Sequence, residues 1–150
     1  MVTNSEWELI GRLVLATVLG LLIGLERELA GRPAGMRTHA LAALGAATFA
    51  LISVEAFPGS DPARVAAGVV TGLGFLGAGM ILKDGGQHEV QGLTTAAGIW
   101  AVGGVGLAVG SGLYLLGSSS AVLVGLLLAL ERLLNIEKRL KGRRQKGREG

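Results

Sequence analysis

The chain of 150 residues has no cysteine, and only 4% of it is aromatic. Without cysteine there is no disulfide framework, no thiolate metal site and no thiol nucleophile. Charge is missing as well, from particular places. Residues 9–25, 40–54, 65–82, 93–109 and 113–130 together hold one formal charge, Arg12. A helix in water needs a polar face, and these runs have none to offer. Paired carboxylates at depth are also lacking, which argues against an enzyme.

What is present is apolar and small. Half the residues are hydrophobic and 26 are glycine. Mean hydropathy is +0.55. A membrane span takes about 17–25 apolar residues. The runs predict an all-α, polytopic membrane helix bundle of five transmembrane helices, over about residues 7–25, 40–57, 65–82, 93–109 and 113–134. One transmembrane domain, 1–135, is followed by a basic cytoplasmic tail, 136–150, whose last ten or so residues read as disordered. The uncharged triplet Gly110-Ser111-Gly112 separates the fourth span from the fifth. Each glycine would weaken a water-soluble helix by up to about 1 kcal/mol. In lipid, small residues let backbones approach. Gly20/Gly24, Gly68/Gly72 and Gly106/Gly110 have the required spacing of four. Gly74, Gly77 and Gly79 extend the third span's share, and a homodimer through such faces is one expectation.

Basic residues favour the cytoplasmic side of a membrane. None precedes the first span. Arg27, Arg32 and Arg37 flank or fill the first connection, the second holds only Arg64, Lys83 lies in the third, and the tail is rich in both types. An outside N-terminus and a cytoplasmic C-terminus satisfy that alternation with five spans. A basic cluster beside a membrane binds anionic lipid headgroups at about 1 kcal/mol per residue. Nucleic acid is not expected, because no aromatic residues interleave the basic ones. Gly72-Leu73-Gly74-Phe75-Leu76-Gly77 imitates a dinucleotide fingerprint. It sits inside an apolar run with no acid at the required distance, so no nucleotide cofactor is expected.

Polar residues gather at the predicted cytoplasmic edge. Glu26, Arg27 and Glu28 close the first span, Arg37, Thr38 and His39 open the second, and Thr94 and Thr95 open the fourth. An ionisable group at bilayer depth costs about 2.5–3.5 kcal/mol unless paired. The reading is a cluster with Arg37 as the fixed charge and Glu26 as its partner. The threonine hydroxyls complete it or cap the helix, while Arg27 and Glu28 serve as interfacial anchors. Trp100, two turns into the fourth span, should seek a partner for its indole N–H inside the bundle. His39 and His88 are the two histidines and lie far apart in sequence, so no metal site is expected.

These residues also carry a resemblance. Gly24-Leu25-Glu26-Arg27-Glu28, Gly35-Met36-Arg37-Thr38-His39, Gly74-Phe75-Leu76-Gly77-Ala78-Gly79 and Gly92-Leu93-Thr94-Thr95-Ala96-Ala97 with Trp100 occur in that order. Together, over residues 9–134, they resemble the successive signatures of the MgtC/SapB family. The resemblance implies a five-helix domain of the bacterial inner membrane. It implies a link to magnesium homeostasis and, in pathogens, to virulence. It also implies a regulator that acts through helix contacts with a membrane complex such as the ATP synthase. A soluble domain follows the membrane domain in the founding member; here a basic tail stands in that place, so the domain is expected to be absent. The alternative expectation is a small ion or solute transporter or channel with a polar site at the cytoplasmic side.

Overall fold

The computed structural model describes residues 5–83 and 90–146, with side chains over 5–81 and 91–130. Among the described residues there are five helices: α1 (Glu6–Leu29), α2 (Met36–Glu55), α3 (Pro62–Met80), α4 (Leu93–Gly110) and α5 (Tyr114–Lys146). Between α3 and α4 the strands β1 (Leu82–Lys83) and β2 (Val90–Gln91) form a two-residue antiparallel ladder, Leu82 opposite Gln91. The first four helices are long and apolar enough to cross a bilayer, and α5 has an apolar stretch over Tyr114–Leu130.

Local chemistry sets the boundaries. The Ser5 hydroxyl accepts the Glu8 N–H at the start of α1, and the Asp61 carboxylate accepts the Ala63 N–H at the start of α3, with Pro62 at the first helical position. α2 opens behind Gly35, which has no capping side chain. Glu28, from the end of α1, supplies the cap by accepting the Met36 N–H at 3.0 Å. That borrowed cap explains why α2 begins at Met36, four residues before the predicted span. α1 runs past residue 25 through Leu29 because Arg27 finds its partners inside the bundle. The α4–α5 turn falls at the glycine-serine-glycine triplet, with Gly112 at φ 81°. Residues 136–146, read from sequence as tail, continue α5 as helix. Their side chains, and with them the expected headgroup contact, lie outside the described residues.

α4 is the hub. It packs on α1, α2, α3 and α5, and 56% of its span is buried against 11% for α3. The core between α1, α2 and α4 is built from small residues. Ala16, Ala43 and Ala47 are fully buried beside Val102, Val105 and Val109. A β-carbon on Gly20 would lie 2.7 Å from the His39 carbonyl oxygen, and one on Gly110 would lie 2.6 Å from that of Ala47. Gly24 is as tight against Met36, and Gly106 meets the Ala43 carbonyl. Two of the three predicted glycine pairs therefore bring backbones together, as close packing in lipid requires. The third does not: Gly68 and Gly72 face open space, as do Gly74 and Gly79, while Gly77 makes ordinary contact with Ala96. The expectation that α3's glycines serve packing within the chain is corrected for Gly68, Gly72, Gly74 and Gly79 and holds for Gly77. The dinucleotide-like glycines lie within this helix, with no strand before them among the described residues. Large apolar side chains such as Leu22, Leu41, Phe75 and Leu127 point outward. A face of that kind suits lipid and would be untenable over such an area in water.

Candidate functional site

Two arginines on α1 tie it to α4, one near each end. They are fifteen residues apart, or about 22 Å along a helix axis. Their partners on α4, Gly110 and Thr95, are also fifteen apart, so the two helices run antiparallel.

The first arginine, Arg12, has a partner for each guanidinium nitrogen. It donates from Nε to the Tyr114 hydroxyl at 2.9 Å, from Nη1 to the Gly110 carbonyl at 3.1 Å and from Nη2 to Glu8 at 2.6 Å. Tyr114 donates in turn to the same Glu8 oxygen at 3.1 Å. The carboxylate, guanidinium and phenol join α1, α4 and α5 at one end of the bundle. The spacing of Glu8 and Arg12 could have signalled the ion pair from sequence. Tyr114, on α5 with three helices between it and α1, carried no such signal.

The second cluster is at the opposite end and contains the residues singled out from sequence. Arg27 is 1% exposed, and the side chains of His39 and Thr95 are buried beside it. Arg27 donates from Nη2 to the Thr95 hydroxyl at 3.3 Å, and its Nη1 lies 3.9 Å from a Glu26 carboxylate oxygen. His39 places Nδ1 3.0 Å from the Gly35 carbonyl and turns Nε2 toward Gly98 of α4. Both Glu26 oxygens and His39 Nε2 are buried, with no hydrogen-bond partner among the described residues.

The assembled cluster is therefore Glu26, Arg27, His39 and Thr95. The buried charge is Arg27, read from sequence as an interfacial anchor. Arg37, read as the fixed charge, is exposed at the first turn of α2, and Glu26 forms its ion pair with Arg27 instead. Thr38 is half-buried and Thr94 exposed. Helical periodicity explains the exchange: on α4, Thr95 faces α1 and Thr94 turns outward. Gly92, in the left-handed region at φ 92°, occupies the cap position where the threonines were an option. Trp100 also points outward, 53% exposed, so its indole lies on the bundle's surface. His88 lies outside the described residues. Among the described residues, no three His, Asp or Glu side chains gather as a metal-binding group.

The MgtC family matches residues 13–136. The chain belongs to the MgtC family. Curated members agree with that placement. YhiD of Escherichia coli (strain K12) is 44% identical over 129 residues, covering 81% of this chain and 59% of YhiD. Protein SrpB of Synechococcus elongatus is 46% identical, over 71% of this chain and 65% of its own length. Protein MgtC of Brucella abortus is 47% identical, over 79% of this chain and 48% of its own. The chain thus spans about half to two thirds of the relatives it matches. No solved structure matches it. The MgtC match takes in Glu26, Arg27, His39 and Thr95, while Glu8 and Arg12 precede its first residue.

Proposed function

We propose that this MgtC-family chain is a magnesium-related membrane protein that regulates a partner complex by helix contact. YhiD, described by name as a candidate magnesium transporter, and the MgtC proteins support the coarse reading. The observation that carries the finer one is the state of α3. This helix is seated on α4 by Leu73 and Gly77 and touches α2 more lightly, and most of its surface is left exposed. Between α2 and α3 runs an apolar groove of about 500 Å³, walled by Leu41, Phe49, Gly68, Gly72 and Leu76 among others. Glycines four apart beside an apolar wall suit a transmembrane helix of another protein. The charged groups of the second cluster, by contrast, are packed among α1, α2 and α4.

A photo-crosslinking residue at Gly72, where a side chain meets nothing in the chain, tests this reading in native membranes. The expected product is one discrete adduct with a different membrane protein. A dimer of this chain would replace the regulator reading with self-association, and crosslinking to lipid alone would end it.

The loop charges further support an outside N-terminus, a cytoplasmic C-terminus and residence in the bacterial inner membrane. Single cysteines at Ser5 and at Gly147, in a chain otherwise free of cysteine, should be labelled from opposite sides. Labelling of both from one side would contradict this orientation.

A further inference from the structure

His39 is fully buried, and its two ring nitrogens meet different surroundings. Nδ1 lies 3.0 Å from the Gly35 carbonyl oxygen. A carbonyl only accepts, so Nδ1 holds the proton, and Nε2 of the neutral ring is a bare lone pair. That lone pair is buried with no donor among the described residues. It faces α4 at Gly98, where a β-carbon would sit 3.5 Å from Nε2 and 3.8 Å from Leu128 of α5. The charged groups near the ring on α1 are Arg27, whose charge acts on it, Glu26 beside Arg27, and Glu28, which caps Met36 next to Gly35. α4 contributes Thr95 and Gly98, α5 contributes Leu128, and Arg37 on α2 is exposed. An unpartnered acceptor in so closed a place costs stability. The closed packing holds the ring in one charge state.

We infer that His39 is a proton-operated switch in the packing of α1 and α2 against α4. A proton taken from water onto Nε2 converts the acceptor into a donor facing Gly98, which offers it no side chain. It also sets a second positive charge beside Arg27, with Glu26 the nearby carboxylate. The charged ring is accommodated when it turns or when α4 withdraws. A closed state that favours the neutral ring and an opened state that favours the charged one make a two-state element, and acid shifts its population. The switch stands independently of the partner reading.

The test uses the full chain in detergent, carrying His88→Gln so that His39 is the one histidine. The ring nitrogens are followed by ¹⁵N NMR across pH ~5–8, the interval in which histidine changes charge, alongside the thermal midpoint. At neutral pH the spectrum should show a neutral ring protonated on Nδ1. Acidification should protonate Nε2 and lower the midpoint together. Gly98→Ser places a β-carbon at ordinary contact distance from Nε2, within reach for its hydroxyl to donate to that nitrogen. It should raise the neutral-pH midpoint and demand roughly tenfold more acid for both changes, one pKa unit. A ring protonated on Nε2 at neutral pH would overturn the inference. So would an equal acid response in His39→Gln, or an unshifted response in Gly98→Ser. If His39→Gln fails to fold, the Gly98→Ser comparison decides.

Discussion

Replacing Gly106 with leucine is expected to keep α2 and α4 from closing on each other. A side chain at that position runs directly into the Ala43 carbonyl and the Ala46 methyl. Backbone cannot rotate away as a flexible side chain can, so the helices themselves must separate. Overpacking typically costs about 1–3 kcal/mol, and a backbone obstacle places this variant at the upper end or above. The same substitution at Gly72 meets nothing within the chain. It should stay within about 0.5 kcal/mol of the parent, as outward-facing positions usually do. Thermal unfolding of the two variants side by side in detergent checks both. Equal losses would mean that α3's glycines are buried by something in the isolated chain.

Arg27→Met carries the other large effect. It leaves the Thr95 hydroxyl without the guanidinium and Glu26 without its counter-charge, at low exposure. Removing one partner of a buried ion pair costs about 3–5 kcal/mol, whereas replacing the pair with apolar groups costs far less. Arg27→Met should therefore be severe, and adding Glu26→Gln should recover part of the loss. Arg37→Met, on the exposed start of α2, should be close to neutral. A thermal-stability double-mutant cycle reads the coupling. Additive losses for Glu26 and Arg27, or an Arg37→Met as damaging as Arg27→Met, would refute the assignment of the buried charge.

The contrast between Arg27 and Arg37 marks how far the sequence could be read. The five helices were legible because lipid-exposed and core-facing positions are both apolar, so each helix appears as an uninterrupted run. The same uniformity hid which face of each helix turns inward. In a water-soluble helix a polar stripe would have given that direction. Here the glycine pairs were the main clue. Gly20/Gly24 and Gly106/Gly110 proved to be inward while Gly68/Gly72 was not, since spacing alone carries no facing. That the polar residues gather at one end of the bundle was legible, because Glu26, Arg27, His39 and Thr95 all flank apolar runs. Its membership depended on the register between α1 and α4. One step along either helix rotates a side chain by about 100°, 3.6 residues making a turn. That step separates Thr95 from Thr94 and Trp100 from Ile99, which is fully buried. The Glu8–Arg12–Tyr114 cluster depends on contact between residues 102 apart, which no local pattern reports.

If the proposed regulator role holds, the chain acts by contact and passes no ion through its own bundle. Magnesium flux into liposomes containing the purified chain tests it most directly. The account predicts uptake no faster than in protein-free liposomes, with or without a pH gradient. Saturable uptake that Arg27→Gln or His39→Gln abolishes, in a variant still folded, would contradict it and establish the transporter reading.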